Sequence, residues 1–347
     1  MARIIITLSC LLVLTGCDQA TPLRLTESSA QTAASLESAL PELMRKNAVS
    51  GIGVAVIRNG KATLVKSIGV ANDTMQSSIK PDTIFEVASL GKPVFAYLAL
   101  RLADDGLFNL DVPLTQYVPG LFSAPDPRLQ AITARMVLSH SSGLPNFGSD
   151  HPEQLEFDPG VAYQYSGIGF ERLQRVLEVL SGKSLNELAQ TIVFEPLGMT
   201  STSYIWREEY RPRFALGHDG KGNQLNQARK PDRGNAAWSL YSTPADYAKF
   251  VERQLRHDDP VTAAMTDPQI KITDEISWGV GWSLQSTKPN SSFWHWGSNP
   301  GYRGYVVGYP TEGIAVIVLS NSETMFKLVE PVIQMTIGGG LPSYHWF

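Results

Sequence analysis

Thiols are scarce in this chain of 347 residues, which has two cysteines, Cys10 and Cys17, both close to the N-terminus. If the segment ahead of Cys17 is removed on export, no thiol pair is left, which excludes a disulfide framework and a cysteine metal site. Charge is sparse as well. Charged residues make up 18% of the chain and the net charge is −4. No basic stripe exists to neutralise phosphates, so no nucleic-acid partner is expected. The six histidines show no His-Glu-x-x-His spacing, so no metal is expected. Internal repeats, low-complexity tracts and blocks of like charge are lacking too. What is present is an ordinary globular balance, 43% hydrophobic, enough for one large domain or two lobes with a real core.

The N-terminus carries its own signal. Ile4 through Leu14 form an apolar core behind Arg3, too short to span a bilayer as a finished helix. Leu14-Thr-Gly-Cys17 then reads like a bacterial lipobox. The expectation is a signal peptide over residues 1–16, a lipidated Cys17, a small and polar tether over 17–35, and a globular body over 36–347. That places the protein in a bacterial cell envelope, lipid-anchored to the membrane on its periplasmic face. Asp18 resembles the inner-membrane retention signal of enteric bacteria.

Periodicity gives the architecture. Leu36–Arg45 predicts a helix with Pro41 interrupting it. Residues 51–58 and 61–68 flank Asn59-Gly60, a two-residue hairpin signal. Residues 304–309 and 314–320 predict a second hairpin, followed by a helix over 323–337. Between the hairpins the pattern is helical over 94–104, 169–180, 185–193 and 245–255. Thr243, Pro244 and Asp246 supply a capping box for the last of these. Strands at both ends with helices between them predict a mixed α/β (α+β) fold. An antiparallel sheet (lobe 36–88 and 270–347) is flanked by terminal helices, and a helical lobe over 89–269 is inserted into it.

The chemistry centres on Phe85-Glu-Val-Ala-Ser89-Leu-Gly-Lys92. Residues three apart share a face in a first helical turn, so Lys92 can reach the Ser89 hydroxyl. A serine is a poor nucleophile until a neighbouring base takes its proton, and a desolvated lysine can do so. Pro93 is tolerated in a first turn, where its missing N–H has no partner to lose. Ser77-Ser-Ile-Lys80 has the same spacing but runs into Pro81-Asp82 and reads as a loop.

Two further segments complete a pattern: Tyr165-Ser166-Gly167 ahead of a helix, and His295-Trp-Gly297-Ser298 in a β-rich stretch. In this order the three segments resemble the active-site elements of the penicillin-recognising serine hydrolases, most closely the class C β-lactamase branch, which includes D-alanyl-D-alanine peptidases and esterases. The resemblance runs from about Leu36 to about Ser320. It implies the β-lactamase/transpeptidase fold and a cofactor-free serine hydrolase acting through an acyl-enzyme. Ser89 would be the nucleophile, with Lys92 and Tyr165 sharing proton traffic. The backbone N–H groups of Ser89 and Ser298 would form an oxyanion hole, Gly297 would allow close approach of substrate, and His295 would bind substrate at the cleft edge. His140, in Ser-His-Ser-Ser-Gly-Leu-Pro145, reads as structural.

Two departures bear on substrate. Gly167 stands where the family usually has an asparagine, and His295 where it has a lysine. A neutral imidazole binds a substrate carboxylate less well than an ammonium does, and Arg303 is a candidate replacement. An esterase-like or D-amino-acid-peptidase-like hydrolase of small esters, amides or peptides is therefore favoured. The alternatives are a β-lactamase or D-alanyl-D-alanine carboxypeptidase, and a non-catalytic envelope-binding lipoprotein.

Overall fold

The computed structural model describes residues 22–256, 258–286 and 290–339; the expected signal peptide and Cys17 lie outside them. The centre of the fold is a nine-stranded antiparallel sheet assembled from both ends of the chain. In chain order the strands are β1 (Gly51–Arg58), β2 (Lys61–Asn72), β3 (Ser77–Ser78), β4 (Phe85–Ala88), β5 (Leu240–Ser242), β6 (Ile270–Lys271), β7 (Ile276–Trp278), β8 (Ser283–Ser286), β9 (Ser291–Asn299), β10 (Tyr302–Tyr309) and β11 (Ile314–Ser320). The sheet runs β3-β2-β1-β11-β10-β9-β8-β7-β6, and β4 pairs separately with β5. Both expected hairpins form. Asn59 and Gly60 each adopt positive φ (51° and 70°), the backbone that a two-residue turn with strand-matching twist demands.

Central strands β1 and β11 are buried along their whole length, because alternate residues serve different cores. Val54, Val56, Val316 and Val318 face the helices Ser29–Lys46 and Val329–Thr336. Ala55, Ile57, Ile317 and Leu319 face the larger core shared with the inserted lobe. Within that lobe, helices Gly91–Asp104 and Gly167–Ser181 occupy the expected places.

Several features differ from the sequence reading. The first helix begins at Ser29, seven residues early, because Ser28 and Gln31 cap it reciprocally; the last part of the expected tether is therefore helix. It passes through Pro41 unbroken, with that residue on the exposed side where water can take up the freed carbonyl. Residues 185–193 divide into an α segment, Leu185–Ala189, and a wider π turn, Gln190–Phe194. The C-terminal helix starts only at Val329, so Pro331 falls in its first turn, where it costs no hydrogen bond.

The helix Pro244–Gln254, expected within the inserted lobe, lies against the sheet instead: Glu252 binds Lys61 Nζ at 3.0 Å and the Ala62 N–H at 2.7 Å on β2. Thr243 caps it, but Asp246 does not return the bond and turns to the Ser201 N–H at 2.6 Å. Ser77 and Ser78 of the second Ser-x-x-Lys sequence form a short edge strand, and Lys80 is exposed.

Candidate active site

β4 ends in a sharp corner. Ala88 takes φ 53°, in the left-handed region, a strain that persists only where surrounding packing holds it. The Leu90 N–H returns to the Val87 carbonyl at 3.1 Å and the Lys92 N–H to the Ser89 carbonyl at 3.0 Å. Ser89 is thereby set between a strand and the helix Gly91–Asp104, with Pro93 the third helical residue. Gly297 on β9 packs over this corner. A Cβ there would stand 2.3 Å from the Val87 carbonyl oxygen, so only glycine admits the approach. Ser298, next in sequence, is exposed.

The Lys92 side chain turns back one turn, as the spacing requires. Its Nζ donates to Ser89 Oγ at 3.1 Å and to the Ala237 carbonyl at 2.8 Å. The side chain is 1% exposed. Burial pulls its pKa from the ordinary 10.5 to about 7, with Glu171 opposing from the helix Gly167–Ser181. Near neutrality much of this lysine is a free amine, which has the lone pair that a general base needs.

Tyr165 packs in the same box. Lys92 Nζ lies 4.7 Å above its ring centroid, beside the phenol face rather than at its hydroxyl. The hydroxyl is buried without a close hydrogen-bond partner. Burial raises its pKa above that of a free phenol, and an interaction with the Ser89 side chain pulls the other way. At neutral pH Tyr165 is therefore a proton donor, and Lys92 is the stronger candidate for base.

His140, expected to be structural, lies against Tyr165. Its Nδ1 accepts the Ser166 N–H at 3.0 Å and its ring stacks on Tyr165 at 4.3 Å between centroids, fixing Tyr165 from below.

His295 differs from expectation. It is completely buried, edge-on to Trp278 at 5.5 Å and stacked with Trp296 at 5.3 Å, rather than standing at a cleft edge. Burial first, and the nearby Lys92 second, lower its pKa to about 3, so the ring is neutral. Its Nδ1 lies 2.7 Å from the Trp296 carbonyl. A carbonyl can only accept, so the proton sits on Nδ1 and Nε2 presents a lone pair. Arg303 is partly exposed, and its Nη1 donates to the carbonyls of Asn299 (2.7 Å) and Tyr302 (2.8 Å).

Gly167 begins its helix with its N–H on Asn146 Oδ1 at 3.0 Å. The ring of Phe147 fills the space a side chain would take, 2.2 Å from where a Cβ would stand. Sequence reasoning missed Phe147 and also Glu86, Asn299 and Arg229. Glu86 had one available signal, a carboxylate in the otherwise apolar strand of the nucleophile.

Comparison with known proteins matches residues 36–331 to the Beta-lactamase family model. Protein flp of Staphylococcus aureus (strain NCTC 8325 / PS 47) is 22% identical over 341 residues, covering 88% of this chain and 66% of that protein. The chain thus spans just under two thirds of the length of that relative. A class C beta-lactamase superposes with a TM-score of 0.79 at 19% identity, over 90% of this chain and 97% of the other. The octameric penicillin-binding protein homologue from Pyrococcus abyssi gives 0.76 at 24%, over 87% and 77%. At these identities the likeness establishes the β-lactamase/transpeptidase fold.

Proposed function

This chain belongs to the Beta-lactamase family, and from that premise we propose that it is a serine hydrolase forming an acyl-enzyme on Ser89, with Lys92 as base. The observation that carries the reading is the buried Lys92 amine 3.1 Å from Ser89 Oγ. Lys92 accepts the hydroxyl proton as Oγ bonds to the substrate carbonyl carbon. The negative charge that develops on the carbonyl oxygen is met by the N–H groups of Ser89 and Ser298. The proton then passes from Lys92 to the leaving oxygen or nitrogen as the scissile bond breaks, beside the protonated Tyr165 phenol. Water repeats the sequence on the ester of Ser89 and restores the serine.

The preferred substrate is a neutral ester or amide. This is supported by His295, which is neutral and enclosed where the family has a lysine, and by Arg303, whose Nη1 is committed to carbonyls of its own turn. A second reading is supported by the names of similar proteins, among them a class C beta-lactamase and a D-alanine carboxypeptidase. A hydrolysis panel of p-nitrophenyl acetate, a D-Ala-D-Ala peptide and nitrocefin separates the two. Fluorophosphonate labelling tests the chemistry itself. The wild type should take one label on Ser89 and Ser89→Ala none; a label on Ser77 would overturn the assignment.

We also propose lipidation of Cys17 and a place on the cell envelope, supported by the Leu14-Thr-Gly-Cys17 sequence. No helix among the described residues is long and apolar enough to cross a membrane. Mass spectrometry of the mature N-terminal peptide should show the acyl mass on Cys17, and its absence would remove this part of the proposal.

A further inference from the structure

Glu86 lies three residues before Ser89 in β4 and is almost fully enclosed, 1% exposed. Its Oε1 receives two groups. Asn299 Nδ2, which follows Ser298 at the end of β9, donates to it, and Arg229 Nη2 pairs with it at 2.8 Å. Its Oε2 is buried with no partner. Asn299 Nδ2 also donates to the Trp238 carbonyl at 3.1 Å, and the residue before, Ala237, offers the carbonyl that holds Lys92. Arg229 closes the outer side of the group with its guanidinium 5.2 Å over the Trp238 ring. One carboxylate therefore ties together the strand of the nucleophile, the strand of Ser298 and the segment that anchors the base. A buried carboxylate with one bare oxygen is costly to keep, and packing alone would be served better by an apolar side chain.

We propose that the Glu86 carboxylate is a positioning residue for acyl transfer, fixing the Ser298 strand against the Ser89 strand through Asn299 and Arg229. The inference rests on the acyl-transfer reading above. Without the tether, Gly297 and Ser298 can slide relative to Val87 and Ser89, and the two N–H groups facing the developing oxyanion lose their spacing. Such a loss acts on the transition state and leaves ground-state binding nearly untouched.

The tether also titrates. Burial raises the Glu86 carboxyl to about 7, while Arg229 and Asn299 hold it down from further elevation. The other titratable groups facing it are Tyr241, opposite in register on β5, and Tyr302 on β10. Both phenols are pushed upward and stay neutral, so Arg229 is the one charge that answers it among these partners. On this arrangement two groups must each lose a proton near pH 7 for full activity, Lys92 and Glu86.

The test is a pH–rate profile of the full-length protein on p-nitrophenyl acetate. For the wild type, log(kcat/KM) should fall with a slope of about two on the acid side of pH 6. Glu86→Gln keeps an acceptor for Asn299 but loses the charge. Its kcat should drop about tenfold at pH 8 with KM changed by less than about twofold, and its acid slope should be about one. A Glu86→Gln enzyme with wild-type kcat and an unchanged slope of two overturns the inference. If that variant does not fold, Arg229→Met acts at the partly exposed end of the pair. Loss of the cation should move the upper part of the acid limb alkaline by about one pH unit, and an unmoved limb overturns the inference. Failure of the wild type to label with fluorophosphonate at Ser89 would strike the acyl-transfer reading instead, so the two failures are distinguishable.

Discussion

Lys92→Met should make this protein more stable while abolishing its chemistry. The perturbation replaces a buried amine by an apolar side chain of similar length, in a box lined by Tyr165 and Phe170. The lysine carries a folding penalty because its pKa falls from 10.5 to about 7 on burial. In the unfolded chain it holds its proton up to about pH 10, and in the folded protein it surrenders it near 7. Below pH 7 both states are protonated and the penalty is fully present. It is relieved as pH rises from 7 to 10.5 and vanishes above, where both states are neutral. At about 1.36 kcal/mol per pH unit the full penalty is roughly 5 kcal/mol.

Methionine forfeits the bonds to Ser89 Oγ and to the Ala237 carbonyl. Leaving that carbonyl unpaired costs about 1–3 kcal/mol. The net gain at pH 6 is therefore about 2–4 kcal/mol, and by pH 10.5 it should disappear or change sign. Urea denaturation of both proteins at pH 6, 8 and 10 reads the difference directly, since the buried histidines that Lys92 also affects, His140 and His295, are held neutral by burial. A variant less stable than wild type at pH 6, or a difference that does not move with pH, would refute the reasoning.

Gly167→Asn drives a Cβ into the Phe147 ring and should cost about 1–3 kcal/mol in urea melts. Adding Phe147→Ala should recover part of that, a coupling that vanishes if Phe147 does not fill the site. His295→Lys places a second cation inside the Trp278–Trp296 enclosure beside Lys92 and should cost about 3–5 kcal/mol. The ratio of penicillin to p-nitrophenyl acetate hydrolysis should not rise; a tenfold rise with stability retained would restore His295 to the cleft edge. Ser298→Ala leaves the backbone N–H in place and should change kcat by less than about threefold, whereas Ser298→Pro, which lacks the N–H, should lower kcat at least about a hundredfold if that group faces the oxyanion.

Much of this arrangement was legible in the chain because local rules and tertiary structure agree. Asn59-Gly60 makes its hairpin since both residues take positive φ at little cost. Ser89 and Lys92 meet since three residues make one helical turn. Where a boundary rests on one local pairing, the pattern is coarser. The start of the first helix depends on Ser28 and Gln31 bonding each other, a pairing outweighed in the pattern by the small polar residues around it. His295 shows the other limit. Strand alternation says which residues share a face, and it does not say whether that face meets solvent or the rings of Trp278 and Trp296.

The long-range ties were the least visible, and they carry the electrostatics of the site. Glu86 and Asn299 are 213 residues apart in sequence, and no local propensity connects them. Yet the same enclosure that hides this pair also sets the protonation of the site. Burial drives Lys92 downward and Glu86 upward, and both arrive at about 7. On the proposals above, the base is a neutral amine and the tether a charged carboxylate, and a rise in pH favours both forms. Exposing the cluster to water would return each toward its ordinary value, so the dry enclosure around Ser89 belongs to the proposed site as much as the three side chains that the sequence announces.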